Sequence, residues 1–210
     1  MNKEIKKERT LTAAEKARLE RFTKLSGEME QQGYTRHDLI IGIGSANRFA
    51  ILLLIPLFVV GYGLYYLIHH RIDFAGFNFL YFLVAFVVLI VVHELIHGLC
   101  WSFFTPNRFK DIEFGIMKSS LTPYCTCLVP LKKGPYIFGT VMPLILLGIM
   151  PIIIGIAIGS GALLFMGIIM ADGAAGDIMI IQRLLGYKSS ANEIIYMDHP
   201  TEAGGVVFER

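Results

Sequence analysis

The sequence predicts an all-α integral membrane protein with four transmembrane helices, an N-terminal cytoplasmic helix and a cytoplasmic loop that contains short β-strands. Hydrophobic residues make up 54% of the 210 residues and charged residues only 17%, against about 45–50% and about 25% in soluble domains. Several uncharged stretches are also long enough to cross a bilayer, which takes about 20 apolar residues in a helix. This composition excludes a disordered chain, a coiled coil and a typical water-soluble enzyme.

The first 48 residues are polar and carry charges of both signs. Thr12 and Glu15 have the spacing of a capping box, in which the two side chains and two backbone amides satisfy each other at a helix N-terminus. Apolar residues at helical spacing follow, including Phe22 and Met29. We therefore expect a surface helix beside the membrane.

Three stretches carry almost no charge: residues 49–68, 74–104 and 134–171. The first two are each expected to form one transmembrane helix. The third has 38 residues and would measure roughly 57 Å as a single helix, so it must fold back. The glycines at 159 and 161 favour a turn there, which leaves spans at residues 136–158 and 162–182.

The basic residues indicate the orientation in the membrane. Ten of the 19 Lys and Arg residues precede the first span, five lie between spans two and three, and three follow span four, whereas Arg71 alone lies on the other side. The positive-inside rule then places both termini in the cytoplasm. The predicted organisation has three parts: a cytoplasmic segment at 1–48, a membrane core at 49–185 and a cytoplasmic tail at 186–210.

The second span contains His93-Glu94-Leu95-Ile96-His97. On a helix the two imidazoles lie one turn apart on the same face, where they can bind one Zn²⁺. In such sites the glutamate acts as the general base rather than as a ligand. An ionisable residue within a span costs about 2.5–3.5 kcal/mol, and a bound cation would offset that cost. The sequence thus predicts His93 and His97 as zinc ligands and Glu94 as the catalytic residue.

A catalytic zinc site ordinarily has a third protein ligand. Downstream candidates are Asp172, Asp177, Glu193, Asp198 and His199. His97 and Asp177 are predicted at similar depths, about 10 Å and about 9 Å from the cytoplasmic face, whereas Asp172 would lie about 16 Å deep. Asp177 is therefore the expected ligand and Asp172 the less favoured alternative. The other three candidates fall in the polar tail, where we expect a solvated loop.

The sequence resembles the family of putative zincin peptidases, small bacterial relatives of the site-2 intramembrane metalloproteases. The resemblance lies in HELIHG at 93–98, the basic loop after it, Pro143, and Gly176-Asp177-Ile178, and it extends over roughly residues 33–208. It implies the same roles for His93, His97, Glu94 and Asp177. Unlike in the site-2 proteases, no proline precedes either aspartate, and Asp172-Gly173 also matches their Asp-Gly ending.

The predicted function is zinc-dependent hydrolysis of a peptide bond in a membrane-spanning or membrane-proximal substrate. The alternative is a non-hydrolytic membrane protein that binds metal, either an ion-handling carrier or a scaffold. The net charge of +2 gives no support for a nucleic-acid partner, and the oligomeric state stays open. Residues 111–116 and 121–129 have the pattern of short strands. Their loop is either an ordinary amphipathic loop at the membrane interface or, as the alternative, a strand edge for an extended substrate.

Overall fold

A computed structural model describes residues 11–74, 78–117 and 122–210. Residues 1–10 of the N-terminal segment, residues 75–77 of the second uncharged stretch and Leu121 of the predicted strand pair lie outside the described residues. The helices are α1 (Ala13–Gln31), α2 (Ile43–His69), α3 (Phe79–Ser102), α4 (Lys133–Pro143), α5 (Met150–Ile158), α6 (Gly161–Gly173) and α7 (Ala175–Gly186). The strands are β1 (Thr35–Ile40), β2 (Ile112–Met117), β3 (Thr122–Cys127), β4 (Leu131–Lys132), β5 (Ile194–Asp198) and β6 (Gly204–Glu209).

Three helices in the described part of the chain are long and apolar enough to cross a membrane: Gly44–His69, Phe79–Ser102 and Lys133–Ile158. The last of these joins α4 and α5 through a wider helical segment, Leu144–Ile149, that follows Pro143. A fourth span exists if α6 and α7 are counted together. The length and hydrophobicity of these helices thus support an integral membrane protein.

The predicted straight fourth helix is instead two helices, α6 and α7, that meet at an angle of 48°. Gly173 and Gly176 flank the bend, and glycine is among the weakest helix formers. The turn between α5 and α6 lies where the sequence predicts it. Gly159 adopts the left-handed region with φ +72°, and the Ser160 hydroxyl accepts a hydrogen bond from the Leu163 amide.

The loop after α3 folds into an antiparallel hairpin of β2 and β3, in which Ile112 pairs with Cys127 and Phe114 with Cys125. The amide of Leu128, directly after β3, donates to the carbonyl of Asp111 on the β2 side. Because successive amides along a strand point to opposite sides, those of Cys125 and Cys127 face away from β2. This outer edge of β3 has no strand partner among the described residues.

The all-α fold class is too narrow, because the chain segments outside the membrane helices build a four-stranded antiparallel sheet in the order β1-β6-β5-β4. The sheet joins the N-terminal segment to the C-terminal tail, in which we expected a solvated loop. Val206, Val207 and Phe208 of β6 are fully buried, so this part of the tail is held by apolar packing.

The helix predicted near the N-terminus is α1. The Thr12 hydroxyl accepts from the Glu15 amide and the Glu15 carboxylate accepts from the Thr12 amide, which completes the predicted capping box. Phe22 and Met29 pack against Phe208 of the sheet. The helix therefore covers the sheet that the two ends of the chain form together.

Candidate metal centre

The last turns of α3 carry His93 and His97 on one face. Their Nε2 atoms lie 3.1 Å apart, and the two side chains are 11% and 5% exposed. Two imidazole nitrogens at this separation repel each other through their lone pairs unless a proton or a cation lies between them. The spacing of four residues therefore brings both rings to one point, as expected for a helix.

Asp177, in the first turn of α7, completes the cluster. Its Oδ2 atom lies 3.1 Å from Nε2 of His93, and its Oδ1 atom lies 3.5 Å from Nε2 of His97. Asp172 precedes the bend between α6 and α7 and does not belong to this group. Its buried Oδ1 atom has no hydrogen-bond partner among the described residues.

The three side chains fit a metal ion. One ligand atom from each of His93, His97 and Asp177 lies within 4.8 Å of the other two. Ligands 2.0–2.1 Å from a tetrahedral Zn²⁺ lie roughly 3.3 Å from each other, close to the separations of 3.1 and 3.5 Å found here. Two imidazoles and one carboxylate are also a donor set that catalytic zinc sites use.

The ring of His97 is held by its surroundings. Its Nδ1 atom lies 2.8 Å from the carbonyl oxygen of Gly139 in α4, so Nδ1 donates and the Nε2 lone pair points into the cluster. The ring stacks on Trp101, with 5.2 Å between centroids and an interplanar angle of 15°. A backbone carbonyl that fixes the tautomer is a common feature of histidines that bind metals.

Glu94 lies beside the cluster at a cavity of about 200 Å³. His93, His97 and Asp177 line the same cavity, together with Gly173, Gly176 and residues of β3 and α4. The Cys125 backbone amide, on the outer edge of β3, faces the Glu94 carboxylate as a hydrogen-bond donor. The three converging side chains thus border a cavity that is also lined by Glu94, a carboxylate that does not belong to their group.

The model of one protein family, described as putative zincin peptidase, matches residues 86–192. This segment includes the last part of α3, the hairpin, the third span and the bent helix pair, and it is more than half of the chain. The chain belongs to the putative zincin peptidase family. The family suggests a metalloprotease, and its matched segment includes His93, Glu94, His97 and Asp177. No curated protein and no solved structure matches the chain significantly.

Asp198 was expected in a solvated loop, and this expectation is wrong. Asp198 is the last residue of β5 and lines the cavity beside the metal centre. Its carboxylate accepts hydrogen bonds from the Tyr136 hydroxyl and the Cys127 amide. Burial raises the pKa of Asp198, and these hydrogen bonds oppose the shift. The apolar run Ile194–Met197 before it indicates a strand, so the sequence contained a signal that the polar tail is not a loop.

Cys125 also lines the cavity but is a poor candidate ligand. Burial raises the pKa of its thiol, and the charges of Asp198 and Glu94 add to the shift. Because a metal binds the thiolate and must displace the thiol proton, a raised pKa weakens metal binding by this thiol at neutral pH. Its sulfur is also absent from the group of converging ligand atoms found in the described part of the chain.

Proposed function

We propose that the protein is a zinc-dependent intramembrane protease of the site-2 type, which hydrolyses a peptide bond in a membrane-spanning or membrane-proximal substrate. The observation that carries the proposal is the convergence of His93, His97 and Asp177 at a cavity that Glu94 also lines. In this proposal the three converging residues hold Zn²⁺ and Glu94 is the catalytic residue. Asp172 has no part in the metal site.

A zinc ion held there supplies Lewis-acid chemistry toward a carbonyl oxygen and a water molecule. Glu94 takes a proton from the attacking water and passes it to the nitrogen of the leaving amine, so one carboxylate serves both halves of the reaction. His97 keeps its Nε2 atom directed at the cluster because Gly139 accepts from Nδ1. The low exposure of the three converging side chains limits the access of bulk water.

The outer edge of β3 supports an extended substrate. A helical segment hides its carbonyl groups in its own hydrogen bonds, so a protease must bind its substrate unwound, and a free strand edge pairs with such a segment. Pro123, Tyr124 and Cys125 of β3 line the cavity with Glu94. We propose that the substrate lies extended along this edge with its scissile bond next to Glu94. The Cys125 and Cys127 amides already donate to Glu94 and Asp198, and Pro123 has no amide hydrogen, so the pairing uses carbonyl oxygens of β3.

The orientation that we propose has both termini in the cytoplasm. In this orientation the segments 1–48, 105–133 and 183–210, which together carry 18 of the 19 Lys and Arg residues, lie on the cytoplasmic side, as the positive-inside rule favours. The metal centre then lies in the cytoplasmic half of the bilayer, close to the hairpin.

A protein that binds metal only for stability fits the cavity less well. Structural zinc sites are closed by four protein ligands, whereas catalytic sites keep a position open. The described residues bring three ligand side chains together beside a cavity of about 200 Å³. An open cavity next to Glu94 therefore favours hydrolysis over a scaffold.

Metal analysis of two matched variants tests the ligand assignment. Purified wild-type protein is expected to contain about one zinc per chain. Asp177→Asn removes an anionic ligand and is expected to weaken zinc binding by more than about 100-fold. Loss of a residue that only hydrogen-bonds to a ligand already lowers metal affinity by about 10–100-fold. Asp172→Asn, the same change five positions earlier, should retain wild-type affinity. Loss of zinc in Asp172→Asn with retention in Asp177→Asn would reverse the assignment.

Filling the cavity is expected to reduce cleavage without removing the metal. Gly173 lines the cavity, and a Cβ atom added there meets nothing within 4 Å. Gly173→Leu should therefore fold, retain zinc and cleave a single-span model substrate at least about 10-fold more slowly, because about 1.4 kcal/mol of lost transition-state binding is tenfold in rate. Gly63→Leu, an exposed position in α2 with equally open space, is the matched control. Equal rates for both variants would show that substrates do not enter this cavity.

A further inference from the structure

We propose that Asp198, in the C-terminal strand β5, is a positioning residue for the metal centre that acts on His97 through Tyr136 and Trp101. The inference rests on the proposed metal-binding function and adds to it a residue outside the segment that the family model matches. It assigns a functional role to the sheet formed by the two ends of the chain.

The Asp198 carboxylate joins three separate parts of the fold. Its Oδ1 atom accepts a hydrogen bond of 2.5 Å from the Tyr136 hydroxyl, in the first turns of α4. Its Oδ2 atom accepts from the Cys127 amide at 2.8 Å and from the Thr126 hydroxyl at 3.2 Å, both in β3. A carboxylate with both oxygens engaged has its orientation fixed, and charge-assisted bonds of this kind are roughly twice as strong as neutral ones.

Tyr136 passes this constraint to Trp101. The two rings stack with 5.7 Å between centroids and an interplanar angle of 20°. The Trp101 indole N–H also donates to the Tyr136 carbonyl oxygen at 3.1 Å. Tyr136 and Trp101 are 1% and 4% exposed, so neither ring has room to turn away when the other is fixed.

Trp101 in turn supports His97. The imidazole stacks on the same indole as Tyr136, and the three stacked rings are called the column below. The Nδ1 atom of His97 donates to the Gly139 carbonyl, in the same α4 turns that carry Tyr136. One restraint on the His97 ring is therefore an α4 carbonyl, and the other, Trp101 of α3, is itself held by Tyr136 at the start of α4. Asp198 anchors that start to β3, next to the backbone amide that faces Glu94.

Removal of the carboxylate is expected to loosen this column. In Asp198→Asn the amide oxygen that accepts from Cys127 and Thr126 leaves the NH2 group facing the Tyr136 hydroxyl, so the charge-assisted hydrogen bond that Tyr136 donates is lost. Tyr136→Phe removes only the hydroxyl and leaves the stacked ring. If Asp198 acts through Tyr136, the two single variants and their double variant should all weaken zinc binding to a similar extent.

The test measures zinc affinity of the full-length protein in detergent by competition with a chelator, together with the absorption spectrum of bound Co²⁺. Each single variant is expected to bind zinc 10–100-fold more weakly, with an altered Co²⁺ spectrum and no further loss in the double variant. Glu193→Gln is the matched control, because Glu193 lies just before β5 and pairs with Arg210 away from the column. Its affinity should equal that of the wild type.

The outcomes separate the inference from the function on which it rests. Wild-type affinity and spectrum in both single variants, or weakening that adds in the double variant, would overturn the positioning role while the metal centre stands. Failure of the wild type itself to bind zinc would overturn both. If Asp198→Asn fails to fold, Tyr136→Phe alone still decides, because a wild-type spectrum in that variant contradicts the inference.

Discussion

Glu94→Gln is expected to reduce cleavage of a membrane substrate by about 10²–10⁴-fold, the range that a positioned general base contributes. Glutamine has nearly the same shape as glutamate but cannot take a proton from the attacking water. The metal content should stay at the wild-type level, because Glu94 does not belong to the converging group of His93, His97 and Asp177. Because glutamine keeps the shape of the side chain, lost cleavage with retained zinc in this variant indicates a proton-transfer role.

The measurement uses purified protein in liposomes with a single-span model substrate that carries a fluorescent label, and mass spectrometry identifies the fragments. Glu28→Gln is the control, because Glu28 is an exposed carboxylate of α1 that pairs with Lys24 at 4.0 Å. Cleavage by Glu94→Gln at the wild-type rate would refute the proposed chemistry. Loss of zinc together with activity would show that Glu94 is a ligand instead.

The sequence was sufficient to predict the parts of the site that depend on helix geometry. Residues four positions apart share a helix face, so the spacing of His93 and His97 alone places their rings together. The depth of Asp177 follows from counting residues in a span of known rise. That count assumes a straight helix, whereas the last span bends by 48°. It nevertheless selected Asp177, the aspartate that lies beside the two histidines.

The parts that the sequence did not yield depend on contacts between distant segments. Asp198 reaches the cavity only because β5 pairs with β6, and β6 with β1 from the other end of the chain. Pairing of this kind depends on which surfaces the whole fold buries rather than on local preference. The short hairpin of β2 and β3 was predictable because the alternation of each strand is a local pattern.

Gly139→Ala is expected to disturb the metal centre through the contact between α4 and Trp101. A Cβ atom at Gly139 would lie 2.1 Å from the Cδ1 and Nε1 atoms of Trp101, far inside van der Waals contact. Trp101 cannot give way easily, because His97 stacks on it and its indole N–H is bonded to the Tyr136 carbonyl. Either α4 or the indole must shift, and both movements displace the surroundings of His97.

Overpacking of this kind costs about 1–3 kcal/mol of stability, so Gly139→Ala should unfold at a lower temperature in detergent and bind zinc more weakly. Gly134→Ala is the matched control in the same helix, because a Cβ atom there meets nothing within 4 Å. An exposed helical glycine replaced by alanine should be neutral or stabilising by up to about 1 kcal/mol.

A compensating substitution identifies the clash as the cause. Phenylalanine at position 101 is smaller than tryptophan, so Trp101→Phe in the Gly139→Ala background should restore part of the zinc affinity that Gly139→Ala loses. Trp101→Phe alone removes the indole N–H bonded to Tyr136 and should weaken binding. Partial recovery in the double variant is therefore expected only if space between α4 and the indole is limiting. Equal unfolding temperatures and zinc affinities for Gly139→Ala and Gly134→Ala would instead mean that the contact between α4 and Trp101 does not hold His97 in place.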